Sequence, residues 1–198
     1  MGIVFGHTGT KEPSFALLLK KNGYEVRKYQ SYVIAETPAD GSDNEAFRAL
    51  AKYIGVFGNP ENIQKTQLDM TAPVLMDAKP QKIAMTSPVI TSTKMMAFVL
   101  PFEYSDVKSV PSPTNNQIKI RMIPARTVAV DIFSGWYSDD VAQQQLKMLC
   151  EKLISDGLMK PGDAPTWSIA QYHPPFTLPF FRRNEVWVDV NKEDIKET

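Results

Sequence analysis

Two helix-length stretches, each preceded by a strand-like run and followed by two more, constrain this chain more than anything else in it. The first begins where Ser42-Asp43-Asn44-Glu45 forms a capping box. Phe47, Leu50, Ala51 and Ile54 then follow at i, i+3, i+4 and i+7, one apolar face of a helix, which Gly55 and Gly58-Asn59-Pro60 end. The second begins at Ser138-Asp139-Asp140, carries Ala142, Leu146, Leu149, Cys150 and Leu153 on one stripe, and stops at Gly157. Strand-like runs surround them: Tyr24 to Thr37, Leu68 to Met76, Lys82 to Thr91, Lys94 to Pro101, Ile118 to Ile123, Arg126 to Ser134, Thr166 to Tyr172 and Glu185 to Val190. The order strand, helix, strand, strand therefore occurs twice, from Tyr24 and again from Arg126. Two helices among many short strands predict an α+β fold, with one helix on each half of a curved sheet or barrel.

Composition narrows the classes of function. Lysine plus arginine equals aspartate plus glutamate at 22 each, so no long-range field favours nucleic acid. No apolar run approaches the roughly 20 residues that span a bilayer. A single cysteine, Cys150, forbids an internal disulfide, and two histidines, His7 and His173, cannot build a histidine-rich metal centre. The N-terminus has no secretory pattern, and Gly2 is followed at position 6 by glycine rather than the Ser or Thr of an acylation signal. These features predict a cytoplasmic protein with a short tail over 1–23, one domain over 24–190 and a second tail over 191–198.

The strongest internal motif is a doubled pentapeptide. Met70-Thr71-Ala72-Pro73-Val74 recurs as Met85-Thr86-Ser87-Pro88-Val89. Each proline lacks an amide donor, which places it at a strand edge or bulge. Met70, Met76, Met85, Met95 and Met96 all fall in this region, and a methionine-rich wall adapts to a flat apolar ligand or fills an irregular core.

These residues, with Tyr24-Glu25-Val26-Arg27-Lys28-Tyr29, Tyr53-Ile54-Gly55, Phe98-Val99-Leu100-Pro101, Phe133-Ser134-Gly135-Trp136, Tyr172-His173-Pro174-Pro175 and Arg182-Arg183-Asn184-Glu185-Val186-Trp187, resemble the SOUL family of haem-binding proteins from about Tyr24 to Val190. The resemblance implies a distorted antiparallel β-barrel of two βαββ repeats, shared with bacterial GyrI-like domains. It implies a haem or related tetrapyrrole ligand, held without covalent attachment for buffering, transport or delivery. It places the pocket beside the first helix, at Asn44, Phe47, Ala51 and Lys52, with Met70 and Met85 nearby. Some members carry a histidine where Lys28 stands here. The expectation is therefore contact-driven binding without a strong iron ligand, or with one from methionine or tyrosine, and His173 is a weak candidate.

Two alternatives remain open at this stage. GyrI-like relatives include hydrolases, and in the last strand Glu185, Trp187 and Asp189 share one face while Val186, Val188 and Val190 share the other. A carboxylate at Glu185 beside Trp187 would suit acid–base work, or the modification of a tetrapyrrole, unless it pairs Arg182 or Arg183. The loops Tyr104 to Gln117 and Pro174 to Phe181, with Phe176, Phe180 and Phe181, are candidate contacts for protein partners.

Overall fold

The structure, a computed structural model, describes residues 10–78, 94–173 and 177–191. Nine strands form one curled sheet: β1 (Phe15–Lys21), β2 (Tyr24–Tyr29), β3 (Tyr32–Pro38), β4 (Val74–Ala78), β5 (Met95–Val99), β6 (Lys119–Ile123), β7 (Arg126–Phe133), β8 (Trp167–Gln171) and β9 (Asn184–Asp189). Helix α1 (Asp43–Ile54) lies between β3 and β4 in the chain, and α2 (Asp139–Ser155) between β7 and β8. The strand order is β1-β2-β7-β9-β8-β4-β5-β3-β6, and every pair in it is antiparallel. The order carries the internal repeat. β3-α1-β4-β5 and β7-α2-β8-β9 each place their third strand between the first two, and the halves meet where β4 pairs β8. This is the distorted α+β barrel of two βαββ units expected from the sequence.

The run Tyr24 to Thr37, expected as one strand, bends at the exposed pair Gln30-Ser31 into β2 and β3. Its partner ribbon bends opposite, at Pro124-Ala125. Tyr29 faces Arg126 and Tyr32 faces Ile123, so one register runs across the bend. This continuous ribbon joins the two halves of the sheet and curls it on itself. The first repeat consequently starts at Tyr32, because β2 serves the other half. β1, inside the stretch 1–23 expected as a tail, pairs with β2. In Leu68 to Met76 only the last residues are strand; Pro73 has no donor, and the Thr71 hydroxyl donates to the Val99 carbonyl instead of joining a ladder. The Lys82 to Thr91 strand, Met85 and the second pentapeptide lie outside the described residues. So do Pro174 to Phe176 and the tail beyond Asn191.

Local chemistry sets the helix ends. Ser42 Oγ accepts from the Asn44 amide at 3.2 Å, one residue short of the capping-box position, and Gly55 closes α1 at φ 89°. Ser138 Oγ accepts from the Val141 amide at 3.2 Å. The helices pack on the same face of the sheet. Leu50, Ala51 and Ile54 from α1 and Ala142, Leu146, Leu149 and Leu153 from α2 join Val26, Val33, Ala35, Met76, Phe98, Ile169, Val186 and Val188 in the main core. The other face carries a second cluster around Tyr29, Ile34, Val128, Val130, Tyr172 and Trp187. The loop Tyr104 to Gln117 is fastened beyond α1: Tyr53 Oη donates to the Pro111 carbonyl at 2.7 Å, and the Ile63 amide to that of Ser112 at 2.8 Å. Leu149 is fully buried at the centre of the α2 stripe. Leu149→Ala is expected to lower the unfolding free energy by about 2–5 kcal/mol, read as a lower denaturant midpoint at unchanged m-value.

Candidate ligand-binding groove

On the helix face, α1 packs on β3 and β5, and α2 on β7 and β9. The central pair β4–β8 lies between them as the floor of a groove. Alternation puts Val74, Met76, Trp167, Ile169 and Gln171 on this floor, with Met76 opposite Ile169 and Val74 opposite Gln171. The Gln171 amide donates to Met76 Sδ at 3.2 Å. Phe47 of α1 meets Phe98 edge-on at 5.3 Å between centroids, and Phe98 stands opposite Val74. A hollow of about 200 Å³ opens at the other end, bounded by Met76, Tyr137, Ala142, Trp167 and Ile169.

One lysine ties this end together. Lys94 Nζ reaches Asp43 at the start of α1 (3.2 Å) and Asp139 at the start of α2 (3.3 Å), 5.6 Å above the Tyr137 ring. Tyr137 Oη donates to Asp139 at 2.6 Å. Burial, then that hydrogen bond, raises the Tyr137 hydroxyl pKa. The same bond, aided by Lys94 and opposed by partial burial, holds the Asp139 carboxyl below its usual range. The rim is thus a fixed ion cluster on an otherwise apolar groove. Ala78, opposite Trp167, and Lys94 both stand at this end.

The expected site residues distribute unevenly around this groove. Asn44, Phe47 and Ala51 fall on one stripe of α1 by helical spacing. Asn44 is exposed and Phe47 half-buried, whereas Ala51 is fully buried in the core. Lys52 is exposed and lies 3.8 Å from Glu61, a pairing worth little in water. Met70 is exposed before β4. His173 follows β8 at the end away from Lys94, and its Nδ1 accepts from the Arg183 amide at 3.0 Å. Lys94, Tyr137 and Ile169 were not anticipated. The alternation of Trp167, Ile169 and Gln171 was a readable signal for the floor, but nothing in the sequence pairs Lys94 with two helix starts.

The opposite, concave face holds Glu185, fully buried. One of its oxygens accepts from Arg27 Nη1 (3.0 Å) and from Arg183 Nε (2.9 Å) and Nη2 (2.7 Å). The other accepts from Tyr172 Oη (2.9 Å) and Trp187 Nε1 (2.7 Å). Arg183 is the pairing weighed from sequence; Arg27, on β2, replaces Arg182. Burial alone would lower the Arg27 pKa, but Glu185, Tyr29 and Glu25 outweigh it and raise it. Trp187 stacks on Tyr29 at 4.7 Å, and Phe15 of β1 packs on both Tyr29 and Arg27. Donors surround both carboxylate oxygens, so this group is placed to hold strands together.

A tetrapyrrole offers two large apolar faces and a carboxylate edge. The interhelix groove offers aliphatic and aromatic walls for such a face, and its rim lysine, Lys94, is already paired with Asp43 and Asp139. Its volume is below the roughly 300–1,000 Å³ of sites that enclose a ligand. A larger hollow of about 500 Å³ lies between the β1–β2 turn and the end of α2. Lys21, Glu151, Lys152 and Asp156 line it, with charges of both signs, and it does not suit an apolar plate. Among the described residues no group of three or more His, Cys, Asp or Glu could hold a metal ion. Met76 Sδ, on the groove floor, already receives the Gln171 bond.

Fold and groove together define a two-repeat βαββ barrel with an apolar trough between its helices. The SOUL heme-binding protein family matches residues 10–189, and the chain belongs to that family. It is 28% identical over 170 residues to heme-binding protein 2 of Mus musculus, covering 83% of this chain and 77% of that protein. The fold is also that of the EcmrR C-terminal domain (TM-score 0.53, 13% identity, 85% of this chain and 97% of that one). A hydrolase from Listeria innocua shares it as well (TM-score 0.53, 8% identity, 88% and 94%).

Two outcomes follow from the concave cluster. Glu185→Ala leaves two guanidiniums without their buried carboxylate and is expected to cost about 3–5 kcal/mol in a denaturant titration. Burial pushes the Tyr29 hydroxyl from its ordinary 10.0 up to about 12, and burial with Glu185 raises Tyr172 further. Raised values mean the folded state holds these protons more tightly. Their stabilisation is complete below pH 10 and is lost as pH rises toward 12. Unfolding free energy measured across that window should fall, and Tyr29→Phe should flatten the fall.

Proposed function

We propose that the protein binds haem or a related tetrapyrrole reversibly in the groove between α1 and α2. What supports this reading is the hollow bounded by Met76, Tyr137, Ala142, Trp167 and Ile169 beside the helix starts, in a chain of the SOUL family. The macrocycle would lie on Met76, Trp167 and Ile169, against Phe47 of α1, with Asn44 at the helix start. Lys94 would exchange part of its contact with Asp43 and Asp139 for a ligand carboxylate. Ala51 supports the helix from the core side. Met70 and Lys52 stand further out in the proposal, as flanking contacts.

Contact area drives such binding, at roughly 25 cal/mol per Å² of apolar surface removed from water. A bound haem would supply its own redox and ligand-binding chemistry; the chain's part is to hold and release the plate. Weak or absent iron ligation favours release, which suits buffering, transport or delivery. A single cysteine and the lack of any disulfide suit a reducing compartment such as the cytosol.

Hemin titration with absorbance in the Soret region tests the reading. A saturable change is expected, together with quenching of Trp167 emission. Phe47→Asp should weaken hemin binding by about tenfold or more, equivalent to 1.4 kcal/mol, with unchanged far-ultraviolet circular dichroism. His173→Ala should leave the Soret position in place. No saturable change with the wild type would end the proposal, and full affinity in folded Phe47→Asp would move the site off α1.

A further inference from the structure

Two of the described residues that bound the hollow beside the helix starts carry atoms able to ligate haem iron: the Met76 thioether and the Tyr137 phenol. Both atoms are already taken. Val74 faces Gln171 and Met76 faces Ile169, so Met76 and Gln171 are diagonal neighbours across β4 and β8, within reach of long side chains. The Gln171 amide donates along this diagonal to Met76 Sδ at 3.2 Å. Among the described residues the side-chain amide makes no other bond. Tyr137 Oη donates to Asp139 at 2.6 Å, and Lys94 holds Asp139 in turn at 3.3 Å.

An amide on an apolar floor costs free energy unless it finds a partner, and a thioether is a weak acceptor. An aliphatic side chain at 171 would continue the floor without that cost. What the amide adds is direction. It fixes a flexible thioether and draws the sulfur toward the Gln171 end of the floor, whereas the hollow opens at the end that Trp167 and Ile169 bound. For iron to take either donor, a protein hydrogen bond must first break: the sulfur must leave Gln171, or the phenol must leave Asp139 and give up its proton. Burial and the Asp139 bond raise the Tyr137 pKa, which opposes the second course. We propose that Gln171 is a positioning residue that keeps the Met76 sulfur off the iron of a bound haem. The proposal rests on the binding reading above and gives easy release a cause in one named side chain.

Hemin titrations of the full chain and three variants test it. Wild type and Met76→Leu should give the same hemin spectrum, because the sulfur is not a ligand, and leucine nearly conserves the side-chain volume. Gln171→Leu should bring in a low-spin spectrum with a sulfur-to-iron charge-transfer band, and should tighten hemin binding by about three- to tenfold, the weight of one hydrogen bond. The Gln171→Leu/Met76→Leu variant should lose both changes. Metal-free protoporphyrin, with no iron to ligate, should bind Gln171→Leu and the double variant equally. In the ligand-free protein, Met76→Leu should move the side-chain amide resonances of Gln171. Unchanged hemin spectra in folded Gln171→Leu, an altered spectrum in Met76→Leu, or unmoved Gln171 resonances would overturn the proposal alone. Wild-type protein that binds no hemin would overturn the binding reading and this proposal with it.

Discussion

A buried carboxylate between two guanidiniums organises this barrel. Glu185 on β9 joins Arg27 on β2 to Arg183 and Tyr172 beside β8, across strands that the sequence separates widely. A charge taken out of water is tolerated only when its partners are complete, and here both oxygens are surrounded by donors. Trp187 then stacks on Tyr29, and Phe15 packs against Tyr29 at a tilt. The concave side is thereby given over to holding the curl of the sheet. On the helix side, α1 packs on β3 and β5 and α2 on β7 and β9, and a hollow of about 200 Å³ opens at one end of the central pair.

The repeat was legible because its signals are local. Capping serines, the i, i+3, i+4 stripes and the glycine stops specify α1 and α2 within a residue or two, and strict alternation specifies β7 and β9. The bend at Gln30-Ser31 was not legible, since it is answered by Pro124-Ala125 far along the chain and only the shared register reveals it. β1 was missed because Phe15 to Lys21 is nearly all exposed, so no buried alternation marks it. For the groove, the sequence shows the apolar face of α1 but cannot show that Ala51 is used by the core while Phe47 remains accessible. Lys94 escapes for the same reason as Arg27: the partners of a bridging charge are set by tertiary placement.

The central claim is that the helix-side groove, and not the concave face, receives the ligand. Backbone and side-chain NMR of the labelled protein titrated with tin protoporphyrin tests it most directly. Shifts confined to Phe47, Val74, Met76, Trp167 and Ile169, with the Trp187 indole and Tyr29 unmoved, are the result this account predicts. Shifts centred on Trp187, Tyr172 and the Arg27 side chain, with the groove silent, would contradict it.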